Sequence, residues 1–253
     1  MATFTLSVPA SGLFAPAAIG DRKTVQKTVL DGLANHGSYF KFASENSKLP
    51  VEVLLAFAAV ESGIGKNIGS AGHITRGIMQ WNRDLVWASL EYEKKSGRMT
   101  PAEEAKLKQY GITFTAAGKM LVNGAATTRI PESIQIKPEL NILVGSILLG
   151  QYVDSLHDGG KKTVVDGKAR TWATDANGNL RIDKVVGVYN AGPYGSTGKS
   201  ARTGNFPTVK SFRDSVNSIT ASYVDRIYGK GGYFDVLYTD LANNPTLKSF
   251  QGA

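Results

Sequence analysis

The sequence predicts a mainly α-helical protein with a small β excursion, and three observations carry that expectation. Apolar residues recur at helical spacing over most of the chain. Capping residues, prolines and glycines stand where such helices should begin and end. One stretch, between His157 and Asp183, turns to β-favouring residues interrupted by Asp166-Gly167 and Asn177-Gly178, both hairpin-turn dipeptides.

Residues 1–20 are small, proline-containing and uncharged, which predicts an extended arm. From Asp21 to about Glu45 the pattern is helical, with Val25, Val29, Leu30 and Leu33 on one face. In "LPVEVLLAFAAV", Pro50 suits a first helical turn and Val51, Leu54, Leu55 and Ala58 form an apolar stripe. That helix runs into Glu61, with Gly63 as its stop. Residues 84–95 read as a helix ended near Gly97. "TPAEEAKLKQYG" follows: Thr100 caps it, Pro101 takes the first turn, Glu103 completes a capping box and Gly111 ends it. "KPELNILVGSILLGQYVDSLH" starts at Pro138, places Ile142, Gly145, Leu149, Tyr152 and Leu156 on one face, and predicts a buried helix. Within the β stretch, "DANGN" looks superficially like a calcium loop. Its glycine falls at the fourth position and Val186 stands where the last ligand should be, so plain hairpins are preferred. The last helices are expected over about 183–190 and 208–228, the second ended by Gly229, Gly231 and Gly232. An irregular tail is expected from Tyr233 onward.

Composition narrows the function. The chain is 42% hydrophobic, enough for a sizeable core. No run of about 18 apolar residues occurs, so no membrane span is expected. There is no cysteine, which excludes disulfides and thiol-ligated metals. His36, His73 and His157 lie far apart without ligand-type spacing, and neither a metal nor another cofactor is expected. The formal charge of +8 suits an anionic partner (nucleic acid, a membrane surface or the acidic bacterial wall) or serves solubility alone. No dense Lys/Arg block with interleaved aromatics is present, so nucleic-acid binding is not expected. The N-terminus has no basic start followed by an apolar core, and no secretion signal is read there.

Glu61 is the residue that asks for a chemical explanation. It closes an apolar helix and precedes a glycine-rich loop, "SGIGKNIGSAGHITRGIMQ". The negative end of the helix dipole and a dry apolar wall both favour the neutral carboxylic acid. A neutral acid at neutral pH is what a glycosidic oxygen needs as proton donor. The glycines would let backbone approach a long, bulky ligand. Taken locally, a solvated surface glutamate is the competing explanation.

The motifs around it decide between the two. Glu61-Ser62, then Ser70, then Gly77-Ile78-Met79-Gln80 resembles the first signature of the soluble lytic transglycosylases, which have a lysozyme-like fold. Asn141-Ile142 followed by Gly145 is similar to the second signature. Tyr189-Asn190-Ala191-Gly192-Pro193 matches the third without a break, and Tyr223-Val224 is similar to the fourth. The resemblance covers roughly residues 48–230. It implies a lysozyme-like helical domain of the goose-lysozyme type with a small β-hairpin insertion, the catalytic part spanning 46–232. Residues 1–45 would be an N-terminal arm and helix, and 233–253 a C-terminal tail. Insertions fall at about 83–136 and 158–182. Three departures from the family stand out. The loop between Ser70 and Gly77 is one residue longer than usual, Trp81-Asn82 replaces an aliphatic-Met-Pro sequence, and Leu148 stands where a tyrosine is frequent.

The activity that the resemblance implies is non-hydrolytic cleavage of peptidoglycan glycan strands. The product would be a 1,6-anhydromuramoyl end. Glu61 would be the single acid and base. Ser70 would bind the N-acetyl group or the reacting oxygen of the muramoyl sugar. Ser62, Gly77, Met79 and Gln80 would belong to the substrate site around the scissile bond, Tyr189, Asn190 and Ala191 would hold sugar, and Tyr223 would orient the Glu61 carboxyl. Asp84, Glu139, Asp154 and Asp183 are the nearest candidates for a second carboxylate. None lies in a motif, and each reads as a helix-start charge or a solvated face. Trp172 invites a stacking role or a small apolar cap, His73 reads as an exposed loop residue, and Arg76 and Lys66 read as solvated charges or as contacts for an acidic stem peptide. The rival functions are a goose-type muramidase using water and a non-catalytic wall-binding module of a virion or secretion apparatus. With no export signal read, delivery to the periplasmic wall by a bacteriophage particle, or release at lysis, is expected. Residues 1–45 would then be the attachment segment.

Overall fold

The computed structural model describes residues 19–47, 49–157, 182–192, 196–203, 206 and 208–251. The arm up to residue 18, the hairpins expected within 158–181 and with them Trp172 and the "DANGN" turn lie outside the described residues. The molecule is mainly helical, with one small antiparallel sheet among the described residues. No helix among them is long and apolar enough to cross a membrane. The chain divides into two compact units, one of residues 28–148 with 245–253, the other of the described residues up to Lys27 with 149–244.

The first unit is organised by α2 (Val51–Ser62), which is buried on every side from Val51 to Val60 rather than along the expected stripe. A helix apolar all round belongs in the middle of a core. Pro50 precedes it as N-cap, and Gly63 ends it in the left-handed region at φ 61°. The part of α1 (Arg22–Ser47) from Thr28 onward brings Val29, Leu33, Phe40 and Ala43 into this core. Gly32 gives room for Ile64, and Gly37 for Phe250 of α12 (Pro245–Phe250). The first half of α6 (Pro138–His157) is buried over Leu140–Leu149.

Between α2 and α6 stand α3 (Val86–Lys95), α4 (Pro101–Gln109) and α5 (Glu132–Gln135). Thr100 and Glu103 form the expected capping box on α4. The unexpected element is the sheet, β1 (Ile112–Phe114), β2 (Met120–Val122) and β3 (Ala125–Ala126), in that order and antiparallel. Asn123 and Gly124 join β2 to β3 with φ of 50° and 82°, the left-handed pair that a two-residue hairpin turn demands. An Asn-Gly hairpin signal therefore also stands within the expected insertion. The buried Glu91 of α3 ties the sheet down: its carboxylate accepts from the Met120 amide at 3.0 Å and meets Lys95 and Lys119.

The second unit centres on α7 (Ile182–Ala191), buried from Ile182 to Val188 and packed against α8 (Ser196–Thr203), α9 (Val209–Arg213) and α10 (Ser218–Tyr228). Gly187 lets Phe212 lie directly on α7. The single helix expected over 208–228 is broken in two. Thr208 caps the first piece and Asn217 the second, its side chain accepting from the Thr220 amide at 2.9 Å. Arg213 rejoins the pieces through both carboxylate oxygens of Asp225, at 3.0 and 2.7 Å. The expected irregular tail is also corrected. It forms α11 (Tyr233–Asp235) and a π-helical turn (Val236–Asp240), burying Tyr233, Phe234, Val236 and Leu237. Arg22 holds that segment by pairing with Asp235 at 2.7 Å and Asp240 at 2.6 Å.

Candidate functional site

Glu61 lies in the last turn of α2, half-buried, directly before the glycine that ends the helix. Its neighbour Ser62 is buried, and its hydroxyl is engaged on both sides. It donates toward the Ile78 carbonyl at 2.8 Å and accepts from the Gly65 amide at 2.8 Å. Ser62 thus ties the end of the catalytic candidate's helix to both strands of the loop that follows. The sequence reading gave Ser62 to the substrate.

That loop, from Gly63 to Gln80, is seated on α6 by one side chain. Asn141 is fully buried. Its Oδ1 accepts from the Met79 amide at 2.6 Å, and its Nδ2 donates to the carbonyls of Arg76 at 2.9 Å and Gln135 at 2.8 Å. Gly77, at φ 90°, passes so close to Asn141 that a Cβ there would lie 2.1 Å from Nδ2. One helical turn on, Gly145 leaves the space that Met79 fills. The segments Glu61-Ser62, Gly77 to Gln80 and Asn141 with Gly145 are therefore brought together in one unit. Met79 is fully buried, and Gln80 is half-buried in the left-handed region at φ 50°, its amide donating to the Gly77 carbonyl at 2.8 Å. Trp81, one of the departures from the family signature, is a buried core residue whose indole donates to the Asn141 carbonyl at 3.0 Å.

Ser70 is exposed at the tip of the loop, between Gly69 and Gly72, which both have φ near 80°. His73 is exposed as expected and shares a 3.0 Å hydrogen bond with the Thr75 hydroxyl. Arg76 corrects the reading. It is buried, paired with Glu132, and also donates to the Gly69 carbonyl at 3.2 and 3.0 Å. It is neither a solvated charge nor open to a stem peptide. Lys66 is half-exposed and donates to Thr28 at 3.2 Å. Glu132, Arg83 and Gln135, all brought to this loop, were not singled out in sequence; Pro131 before Glu132 was the available signal of a helix start.

In the other unit, Tyr189, Asn190 and Ala191 form the last turn of α7 and are half-buried. Tyr152 meets the Tyr189 ring edge-on at 6.2 Å, and the Asn190 side chain accepts from the Thr220 hydroxyl at 3.0 Å. Tyr223, on α10, is buried. Of the acids weighed as a second carboxylate, Asp84 pairs with Arg129 at 2.8 Å, and Glu139 with Lys106 at 2.8 Å and the Tyr110 hydroxyl at 2.8 Å. Asp183 stands in the first turn of α7, a helix-start charge as expected, but it is fully buried, as is Lys184 beside it, and so is not on a solvated face. The Asp154 side chain lies outside the described residues.

No protein-family model matches this chain, and no curated protein or solved structure matches it either.

Proposed function

We propose that this protein is a lytic transglycosylase of lysozyme-like fold, cleaving the β-1,4 bond between N-acetylmuramic acid and N-acetylglucosamine. One observation carries the reading. Two of the four signatures, spread over residues 61 to 145, close on each other through Ser62, Asn141 and Gly145, spending their polar groups or their lack of a side chain on that closure. Chance matches to a motif give no reason for such mutual fit. The basic charge supports an anionic polymer as partner.

In this reading Glu61 protonates the glycosidic oxygen and the bond to the muramoyl C1 breaks. The substrate's own N-acetyl group shields the developing cation. The Glu61 carboxylate then takes the proton of the C6 hydroxyl on the same ring. That oxygen bonds to C1, closes the 1,6-anhydro ring and regenerates the acid. An intramolecular nucleophile has a very high effective concentration, so no second carboxylate is needed to activate water. Tyr189, Asn190 and Ala191 serve sugar binding.

Mass spectrometry of muropeptides released from purified peptidoglycan tests this. Anhydromuramoyl products are expected. Reducing muramic acid ends would make the protein a hydrolytic muramidase instead, and an empty zymogram would leave only wall binding. Glu61→Gln should abolish cleavage with an unchanged circular dichroism spectrum; a variant that still cleaves overturns the role of Glu61.

A further inference from the structure

Outside the signatures, α5 carries a polar arrangement of its own. Its first residue, Glu132, presents a carboxylate that grips the tip of the glycine-rich loop. The Gly72 amide donates to both oxygens at 3.2 Å. Arg83 donates to one of them at 2.8 Å and, through its other terminal nitrogen, to the Gly72 carbonyl at 3.3 Å. Arg76 pairs with the other oxygen and carries the Gly69 carbonyl. The two residues flanking the turn that holds Ser70 are therefore both held by one acid and its two arginines. Gln135, one turn along α5, adds hydrogen bonds to the Ile74 carbonyl at 3.1 Å and the Trp81 carbonyl at 2.9 Å.

Two features argue that this clamp serves placement. Gly72 has open space around it and a left-handed φ of 82°, so packing does not hold the turn. Both arginines are buried, while Ser70 is exposed. A charge-assisted network stiffens an exposed turn that carries the Ser70 hydroxyl.

We propose that Glu132 is the positioning residue of the substrate site, setting where Ser70 meets the muramoyl sugar through the Glu132–Arg76–Arg83 clamp. The proposal rests on the transglycosylase reading above. Glu132 touches no sugar; it acts through the turn.

Two measurements test it together. Amide hydrogen exchange at Gly72 should accelerate by about tenfold or more in Glu132→Ala, with Glu132→Gln, which keeps an acceptor, between that variant and wild type. On peptidoglycan, Glu132→Ala should lower kcat/KM about tenfold, and the same change made in a Ser70→Ala background should cost less than about twofold. Glu104→Ala, which removes a surface pair with Lys94, should leave both readouts unchanged. Gly72 exchange at the wild-type rate in both Glu132 variants overturns the clamp. Independent, multiplying losses from Ser70→Ala and Glu132→Ala overturn the link to Ser70. A wild-type protein that cleaves no peptidoglycan overturns both readings, whereas an active wild type with an indifferent Glu132 overturns only this one.

Discussion

At the residue scale, the candidate site is held by close backbone approach and buried hydrogen bonds. Gly77 combines a φ of 90° with direct contact to Asn141, and an L side chain is excluded on both counts. Gly77→Ala should therefore destabilise the protein by about 3 kcal/mol or more, measured by urea denaturation. Asn141 satisfies one buried amide and two carbonyls. Asn141→Ala strands them and should cost about 3 kcal/mol by the same measurement. Ile64 and Gln80 are bound into the same loop at positive φ, 54° and 50°, which a β-branched residue in particular avoids. Ile64 is kept there by burial of its side chain over Gly32. Local sequence does not announce that arrangement, because the compensation comes from a helix some 30 positions earlier.

At the element scale, helix ends written in side chains were legible and breaks were not. The capping box at Thr100 and the glycine stop at Gly63 are local chemistry and stand as read. Thr100→Ala should cost about 1 kcal/mol in thermal or urea unfolding, the usual worth of such a cap. The helix expected over 208–228 shows the opposite case. Its apolar period continues across Asp214–Asn217, but Asn217 caps the next helix with its side chain, and the chain turns there. The three-stranded sheet was missed because its strands are two or three residues long, too short for a period of two to stand out. Only the Asn123-Gly124 turn marked it.

At the scale of the molecule, three ion-paired carboxylates, Glu132, Asp240 and Asp214, share one direction of response to acid. The Glu132 carboxyl is held down at about 2 from an ordinary 4.5, first by the hydrogen bond from Arg83 and then by the Gly72 amide. Asp240 is held at about 2 from 3.8, chiefly by Arg22, and Asp214 is lowered by Lys210 and Arg213. In each case the unfolded chain takes up the proton first as pH falls. The stabilisation is complete above about 4.5 and drains away toward 2. The midpoint of thermal unfolding should accordingly drop across that window, and the gap between wild type and Glu132→Gln should shrink with it. A gap that persists undiminished at pH 2 would assign Glu132 a role other than ion pairing. By itself the sequence determined the helical class, the boundaries of the well-capped helices and the residues proposed for chemistry, because periodicity, caps and short motifs are local. Only the tertiary structure decided that Arg76 is locked inside, that Trp81 is core, that the tail is helical and that Glu132 governs the Ser70 turn. Those outcomes depend on partners tens of residues away, whose approach no local pattern encodes.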